Sequence, residues 1–239
     1  QVQAIPVLLK GKDLLGIAKT GSGKTASFVL PILQGLLTKP IVERNRQPKV
    51  LVLVPTRELA MQVTEVFKEL SHNLRQPVKS MAVYGGVSIN PQMKALFGVD
   101  ILIATPGRLL DLQRSKAISL SKVETLVLDE ADKMLNLGFH EEMQEIFDLL
   151  PKKRQNMLFS ATLSDQLSGI NRVLLVDPVL VQIEAKPDEE ELINLSGYFV
   201  PDERKGPLLR HLIRGMDMKQ VLIFTSSGNK ADKVAAKLM

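Results

Sequence analysis

One stretch near the start of the chain constrains its fold most. It runs from Ala18 to Thr25, reads Ala-Lys-Thr-Gly-Ser-Gly-Lys-Thr, and lies between an apolar run ending at Ile17 and an amphipathic run ending at Leu37. This order predicts a strand, a glycine-rich turn and the first turn of a helix. Such a turn points backbone N–H groups and the positive end of the helix dipole toward one place, which favours a bound phosphate. Lys24 adds a positive charge there, and the Thr25 hydroxyl can bind Mg²⁺.

The stretch therefore predicts a phosphate-binding loop. A flexible connection between a strand and a helix is the alternative, but it gives no reason for a lysine and a threonine at the helix start. The general pattern for such loops begins with glycine, whereas this chain has Ala18. The predicted nucleotide contacts in the loop are Thr20, Gly21, Ser22, Gly23, Lys24 and Thr25.

Two adjacent carboxylates, Asp129 and Glu130, follow the apolar run 123–128. Acidic residues after a strand often only begin a solvated helix, where they offset the dipole. The carboxyl end of a buried strand is also where α/β sheets bind their ligands. We predict that Asp129 holds Mg²⁺ through its water shell and that Glu130 polarises the attacking water. Phosphoryl transfer needs positioning and charge neutralisation, so Lys24, Asp129 and Glu130 predict a nucleoside triphosphatase.

Short runs rich in Val, Ile and Leu alternate with amphipathic runs of helical length. Runs that are apolar at nearly every position are typical of strands buried on both faces. Their alternation with helices predicts an α/β fold, a parallel sheet with helices on both faces and right-handed crossovers. The predicted strands are Leu14–Ile17, Val50–Val54, Ser80–Tyr84, Ile101–Ala104, Thr125–Asp129, Met157–Ser160 and Val179–Ile183. The predicted helices are Thr25–Leu37, Arg57–Asn73, Pro91–Leu96, Gly107–Gln113, Glu141–Leu150 and Asp165–Leu175.

A polar, acidic segment from Glu184 to Glu191 interrupts this pattern and predicts an interdomain linker. We predict a first domain over residues 1–184, a linker over 185–194 and a partial second domain over 195–239. Two strands and two helices are too little for a typical α/β core. In the partial domain the predicted elements are strands at Leu195–Val200 and Val221–Phe224 and helices at Asp202–Arg214 and Lys230–Leu238.

Composition narrows the classes of protein. The chain has 239 residues, 45% of them hydrophobic and none of them cysteine, so neither disulfides nor thiolate metal sites are expected. No apolar run approaches the roughly 20 residues of a membrane helix, and the N-terminus lacks a signal-peptide pattern. These features predict an intracellular, cytoplasmic protein. The net charge of +5 permits nucleic-acid binding, and with only 4% aromatic residues we expect any nucleic acid to be held by its backbone.

Further short motifs follow along the chain: Pro-Thr-Arg-Glu-Leu-Ala at 55–60, Gly-Gly at 85–86, Thr-Pro-Gly-Arg at 105–108, Asp-Glu-Ala-Asp at 129–132 and Ser-Ala-Thr at 160–162. Together they resemble the motifs of the DEAD-box RNA helicases of superfamily 2, in the order that family has them. Gln1 precedes Ala-Ile-Pro at 4–6, and the phosphate loop begins with Ala as it does in this family. The resemblance spans the whole chain and implies a RecA-like domain of the P-loop type, followed by a partial second RecA-like domain.

The resemblance also implies roles on the nucleotide side. Gln1 matches the glutamine that reads adenine and so selects ATP over GTP; the alternative is a frayed polar terminus. Ser160 and Thr162 match the motif that couples ATP hydrolysis to strand separation, and the alternative is a strand end followed by a turn. Asp132 is expected to hydrogen-bond within this polar cluster rather than to bind metal.

On the RNA side, the resemblance implies contacts to the backbone from two helix starts and a glycine. Phosphate and 2′-OH contacts carry little sequence information, so the expected partner is RNA of any sequence. The alternative is two ordinary capped helix starts, and both interpretations can hold together. The matching residues are Pro55, Thr56, Arg57, Gly86, Thr105, Pro106, Gly107 and Arg108.

Residues 222–227 resemble the first motif of the family's second domain, but the element that supplies an arginine finger does not follow. Because such a finger is worth about 10³–10⁵ in rate, we expect a fragment that binds ATP, Mg²⁺ and RNA but turns over slowly. Its parent is expected to couple ATP hydrolysis to local RNA unwinding. A module that only binds, and a DNA-directed translocase, are the alternatives. We also expect self-association through the truncated second domain, whose apolar strand lacks neighbours.

Overall fold

A parallel sheet organises the larger part of the computed structural model. Its strands are β1 (Leu14–Ile17), β2 (Val50–Leu53), β3 (Ser80–Val83), β4 (Ile101–Ala104), β5 (Thr125–Leu128), β6 (Gln155–Ser160) and β7 (Val179–Gln182). They form one seven-stranded sheet in the order β3-β4-β2-β5-β6-β1-β7, and every pair is parallel. The predicted α/β class and parallel sheet are confirmed, and all seven strands predicted for the first domain are present.

The structure describes residues 1–19, 21–38, 47–163, 165–183 and 194–238, with the backbone alone at 165–168 and 172. Contacts divide the chain into two units, Gln1–Lys186 and Pro187–Met239. Thr20 and residues 185–193 of the predicted linker lie outside the described residues. The predicted domain bounds therefore stay predictions.

Helices cover both faces of the sheet, as predicted. The helices of the first unit are α1 (Ala4–Leu9), α2 (Lys24–Leu37), α3 (Arg57–Ser71), α4 (Ile89–Ala95), α5 (Pro106–Arg114), α6 (Ala131–Asn136), α7 (His140–Leu149) and α8 (Asp165–Leu174). Buried side chains of α1, α2 and α3 pack in one cluster with alternate strand residues. Those of α5 to α8 pack with the other strand residues in a second cluster. The central strands are thus buried on both sides, which is why their sequences are apolar at nearly every position.

Strand register aligns the carboxyl ends of the strands along one edge. Leu53 at the end of β2 is level with Ala104 of β4 and with Leu128 of β5, and Ile17 of β1 is level with Ser160 of β6. The loops that follow these strands therefore lie side by side at this edge, where α/β folds bind ligands.

Two helices of the first unit were not predicted. α1 is only six residues long and carries Pro6, which is tolerated because it falls in the first turn. α6 is also six residues long and follows Glu130, whose left-handed backbone (φ 55°) separates it from β5. Neither segment is long enough to show a helical repeat of apolar residues.

The second unit contains a 3₁₀ turn at Asp202–Arg204 and two helices, α9 (Lys205–Gly215) and α10 (Gly228–Leu238). The two strands predicted there are wrong: residues 195–200 and 221–224 pair with no strand among the described residues. A strand is defined by backbone hydrogen bonds to a neighbouring strand, and residues 194–238 contain no such partner strand. Apolar side chains remain exposed as a result, among them Phe199, Leu222 and Phe224.

Candidate functional site

The predicted phosphate loop connects β1 to α2 at the carboxyl edge of the sheet. Gly21 and Gly23 adopt positive φ angles of 85° and 82°, a conformation that glycine reaches without strain. Gly23 is the residue that caps the N-terminus of α2, so the helix begins at Lys24 and points its free N–H groups into the loop. An ideal Cβ on Gly23 would lie 2.5 Å from Gln1 Nε2, the end of a flexible side chain, so it is the φ of Gly23 that favours glycine there.

The Lys24 ammonium lies inside the loop. It donates a 2.7 Å hydrogen bond to the carbonyl of Ala18, and the Ala18 amide in turn donates to the carbonyl of Ser160 at 3.0 Å. The loop is therefore tied to the end of the neighbouring strand β6. Thr25 occupies the second position of α2, and the other loop residue in the described range, Ser22, lies with Gln1 and Lys24 around a recess of about 40 Å³.

Gln1 reaches the phosphate loop from the start of the chain. Its side-chain amide donates to the Gly23 carbonyl at 3.3 Å, and its own carbonyl accepts from the Ile5 amide at 3.0 Å as α1 begins. The recess beside it is also lined by Gly16 and Phe159. The structure thus brings Gln1, Gly23 and Lys24 together, although they are up to 23 positions apart in the numbering.

Asp129 is the buried acid of the site. It follows β5, its backbone amide donates to the Leu53 carbonyl at 3.0 Å, and only 3% of the residue is exposed. Burial raises the pKa of Asp129 to about 6, and the positive charge of Lys24 opposes that rise. Its Oδ1 is buried and has no hydrogen-bond partner among the described residues. A buried carboxylate oxygen without a donor fits a cation ligand, because orphaned polar atoms are otherwise costly.

Glu130 has a strained backbone and an ion pair. Its φ of 55° and ψ of 48° lie in the left-handed region, which costs energy for a residue with a side chain and often marks a functional site. Its Oε2 accepts from Lys133 Nζ at 2.9 Å. This left-handed turn ends the extended backbone just after Asp129, and Glu130 becomes the residue that caps α6.

Asp132 connects α6 to the end of β6. Its Oδ2 accepts from the Ala161 amide at 3.3 Å and from the Thr162 hydroxyl at 3.2 Å. The Ser160 hydroxyl donates to the Thr162 carbonyl at 2.8 Å. The three residues named for coupling thus form one hydrogen-bonded cluster.

The predicted RNA contacts lie on the other half of the same edge. They follow β3, β4 and β2, whereas the nucleotide candidates follow β5, β6 and β1, and the order β3-β4-β2-β5-β6-β1-β7 separates the two sets. Pro55 and Thr56 lead into α3, where the Thr56 hydroxyl caps the helix by accepting from the Leu59 amide at 3.2 Å. The predicted cap is therefore present.

Arg57 is exposed and paired with its neighbour. Its Nε donates to Glu58 Oε1 at 2.7 Å, and both side chains are more than half exposed. This hydrogen bond is the main cause that raises the pKa of Arg57, and Tyr84 contributes slightly. Tyr84 precedes the Gly85-Gly86 turn, so Arg57 faces the same region of the edge. Gly86 has a φ of 78° with open space around it.

The start of α5 is joined to β3. The Thr105 amide donates to the Val83 carbonyl at 3.1 Å, and the Thr105 carbonyl accepts from Leu109. Pro106 occupies the first helical position, as predicted, but the Thr105 side chain makes no capping hydrogen bond. No atom lies within 4 Å of an ideal Cβ built on Gly107, so the space beside this residue is open.

Arg108 does not face solvent. Only 8% of it is exposed, its Nη2 donates to the Val87 carbonyl at 2.8 Å, and its Nε lies 3.6 Å from Asp111 Oδ2. Its Nε and Nη1 are both buried. The side chain therefore holds the glycine turn in this structure, in a position that the resemblance to backbone-binding arginines does not predict.

Comparison with known proteins decides the family. The family model for the DEAD/DEAH box helicases matches residues 1–170, which include every motif of the nucleotide side and the RNA side. The chain belongs to this family. In this DEAD-box chain the seven-stranded parallel sheet is the RecA-like helicase domain, and its two sets of motifs occupy the two halves of one sheet edge.

Relatives cover the DEAD-box chain almost completely but extend well beyond it. It is 39% identical over 95% of its length to the DEAD-box ATP-dependent RNA helicase 53 of rice, of which it spans 38%. It is 41% identical over its full length to the ATP-dependent rRNA helicase rrp3 of Sclerotinia sclerotiorum, of which it spans 48%. The crystal structure of a hypothetical ATP-dependent RNA helicase from Sulfolobus tokodaii shares 34% identity and a TM-score of 0.68, over 76% of this chain and 51% of that one.

Two residues of the candidate site were missed from the sequence. Gln92 is 9% exposed and hydrogen-bonds both backbone groups of Tyr84, but a single glutamine in a polar segment gives no signal. Lys133 pairs with Glu130, and its spacing of three on a helix was the available clue. Across the described ranges, no helix is long and apolar enough to cross a membrane.

Proposed function

We propose that this chain is the ATP- and RNA-binding part of an ATP-dependent RNA helicase. The observation that carries the proposal is the placement of Lys24 and of the buried Asp129 at the same edge of the sheet. The lysine lies in a glycine loop at the start of α2, and its charge acts on a buried carboxylate at the end of β5. A positive group for phosphate beside an oxygen donor for a cation is what a nucleoside triphosphate with its metal requires.

Each residue of the loop has a role in this proposal. The N–H groups at the start of α2 and the Lys24 ammonium bind the phosphate oxygens. To do so Lys24 exchanges its hydrogen bond with the Ala18 carbonyl for one with phosphate. Gln1 reads the adenine base from its place beside Gly23. Thr20, which lies outside the described residues, is proposed to bind phosphate with its neighbours.

Thr25 and Asp129 would hold Mg²⁺. Both supply oxygen, the donor that Mg²⁺ prefers, and Mg²⁺ commonly keeps water and phosphate oxygens as its other ligands. That fits the described residues, where no three His, Asp or Glu side chains converge into a metal cluster. When bound, the ion neutralises charge on the phosphates. With a pKa of about 6, the Asp129 carboxyl is mostly deprotonated at neutral pH, which is the form in which it would bind a metal.

Glu130 is proposed as the group that orients and polarises water for the attack on the terminal phosphate. A carboxylate is suited to this as a hydrogen-bond acceptor. Asp132, Ser160 and Thr162 are proposed to pass changes at the nucleotide to the RNA half of the edge. The cluster supports this because Ser160 also accepts from the phosphate loop through its carbonyl.

RNA is proposed to lie across the loops after β2, β3 and β4, held by its phosphates and 2′-hydroxyls. Exposed Arg57, the open turn at Gly86 and the N-terminus of α5 at Thr105–Gly107 support this. We infer that the isolated chain binds and that efficient turnover needs the rest of the parent, since the chain spans 38% and 48% of two helicase relatives. We place the protein inside the cell, where both ATP and RNA are available.

Comparing RNA with DNA tests this proposal. Labelled single-stranded RNA and DNA of one sequence are titrated with the chain in the presence of a non-hydrolysable ATP analogue and Mg²⁺. The proposal expects RNA to bind more tightly than DNA and binding to weaken without the nucleotide. Equal affinity for DNA would favour a DNA translocase, and no binding of either strand would contradict the RNA half of the proposal.

A further inference from the structure

The short turn Tyr84-Gly85-Gly86-Val87 follows β3, the strand beside the one that leads into α5, and buried side chains hold the turn at both ends. Gln92 Oε1 accepts from the Tyr84 amide at 3.1 Å, and Gln92 Nε2 donates to the Tyr84 carbonyl at 3.2 Å. Arg108 Nη2 donates to the Val87 carbonyl at 2.8 Å. Each of these side chains is at least nine-tenths buried.

The position of β3 explains why the turn needs such support. β3 is an edge strand, so backbone groups just past its end have no further strand to pair with. The amide of Gln92 supplies both a donor and an acceptor, and it pairs with Tyr84 as a neighbouring strand would. The residue before Tyr84 is held by a backbone hydrogen bond, in which the Thr105 amide donates to the Val83 carbonyl at 3.1 Å.

Arg108 is badly placed to bind a phosphate itself. Its Nε and Nη1 are buried, and the remaining nitrogen is engaged with Val87. Asp111 also offsets its charge, at 3.6 Å from Nε. The turn between these supports is open: nothing lies within 4 Å of an ideal Cβ on Gly85 or Gly86.

We propose that Gln92 and Arg108 are positioning residues for RNA binding. They hold the Gly85-Gly86 turn so that its backbone lies ready beside the start of α5, and they do so without contacting RNA. The inference rests on the proposed function, because it assumes that the turn and the start of α5 bind an RNA backbone. It adds one residue to the site, Gln92, and changes the role of another, Arg108.

The dependence of RNA affinity on salt separates positioning from contact. Each protein cation that binds a single-strand phosphate contributes about 0.7 to the slope of log affinity against log salt concentration. Single-stranded RNA is titrated at several salt concentrations with Gln92→Leu, Arg108→Met and two comparison variants. Arg57→Ala removes a proposed phosphate contact, and Arg114→Met removes a charge from the same helix, α5, at a residue paired with Glu145.

We expect Gln92→Leu and Arg108→Met each to lower RNA affinity about tenfold, equal to about 1.4 kcal/mol, with the wild-type slope. Arg57→Ala should make the salt dependence less steep, by about 0.7 in the slope. Arg114→Met should change neither the RNA affinity nor the slope by much. Affinity for ADP should stay the same in both positioning variants, which shows that the domain is folded. Wild-type RNA affinity in Gln92→Leu, or a reduced slope in Arg108→Met, would overturn the inference.

Amide hydrogen exchange gives a second reading that needs no RNA. The Tyr84 amide should be protected in the wild-type chain and should exchange faster in Gln92→Leu, while the central strand β2 keeps its protection. Unchanged exchange at Tyr84 would overturn the support role. If the wild-type chain binds no RNA while this exchange result holds, the proposed function fails and the support of the turn stands by itself.

Discussion

The Thr162 hydroxyl donates a 3.2 Å hydrogen bond to Asp132 Oδ2, which joins the end of β6 to the first turn of α6. The same strand end accepts from the phosphate loop through the Ser160 carbonyl and the Ala18 amide. A continuous set of hydrogen bonds therefore runs from the loop, across β6, to the helix that follows the two adjacent carboxylates. We therefore expect these residues to act together.

A double-mutant cycle tests whether Asp132 and Thr162 act together. Asp132→Ala leaves the Ala161 amide and the Thr162 hydroxyl without an acceptor, so we expect it to lower the free energy of unfolding by about 1–3 kcal/mol. Combined with Thr162→Val, the effects should fall short of additivity by at least about 0.5 kcal/mol. Urea unfolding followed by circular dichroism measures both. As a control, Asp148→Ala on α7, where Asp148 accepts from Gln144, should add to Thr162→Val, and full additivity with Asp132→Ala would contradict the link.

Burial of Asp129 makes stability depend on pH in a defined direction. Its pKa is about 6 in the folded chain against an ordinary value of 3.8. The folded state binds this proton more tightly, so the contribution of Asp129 to stability falls as the pH rises from about 4 to 6. Above pH 6 the buried carboxylate is charged and lowers the free energy of unfolding by its full amount. At 1.36 kcal/mol for each unit by which the folded pKa exceeds 3.8, this amount is about 3 kcal/mol. Asp129→Asn should therefore be more stable than wild type at neutral pH by up to about 3 kcal/mol.

Thermal or urea unfolding over this pH range measures the effect. The difference between Asp129→Asn and wild type should shrink to about 0.5 kcal/mol near pH 4, because the folded carboxyl is then protonated and the unfolded one, with its ordinary pKa of 3.8, is partly protonated. Glu69→Gln serves as a control, because Glu69 is an exposed residue of α3. A difference that grows as the pH falls would have the wrong sign for a buried, destabilising charge.

How far the sequence predicts this fold depends on how each residue is used. Strands such as β2 and β4 were predicted because residues buried on both faces are apolar at every position. The phosphate loop was predicted because glycines, a lysine and a threonine follow a strand. The prediction of strands at 195–200 and 221–224 was wrong, because an apolar run forms a strand only beside another strand with which it can hydrogen-bond. The resemblance predicted that Arg108 contacts RNA. Its burial and its hydrogen bond to Val87 depend on contacts between segments that are distant in the sequence, which the motif alone does not reveal.

Glu130→Gln should separate binding from hydrolysis. The amide keeps the shape of the side chain and lacks the charge that polarises water, so ATP affinity should stay close to wild type. A version extended to contain the complete second domain should lose its RNA-stimulated hydrolysis. Phosphate release under saturating ATP measures this, with Glu141→Gln on the first turn of α7 as a control. Unchanged turnover in Glu130→Gln would move the base to another residue.

The second unit should cause self-association. Phe199, Leu222 and Phe224 are each at least 80% exposed, and exposed apolar surface of this kind favours contact with another molecule. We expect light scattering to show dimers or larger species at micromolar concentration, by pairing of second units. A chain shortened to Gln1–Lys186, the first compact unit, should be monomeric. A monomeric full chain whose tail resists protease would contradict this prediction.

The most direct test of the nucleotide site is calorimetric titration of Lys24→Ala with ADP and Mg²⁺. Lys24 is held by the Ala18 carbonyl at the loop and lies outside the apolar clusters, so its loss should leave the fold intact. Losing a charged hydrogen bond to phosphate costs about 1.5–3 kcal/mol, so affinity should fall by at least about tenfold. Lys10→Ala, at the end of α1 and outside the loop, should bind as wild type does. Equal ADP affinity in Lys24→Ala and wild type would contradict the assignment of this loop as the phosphate site.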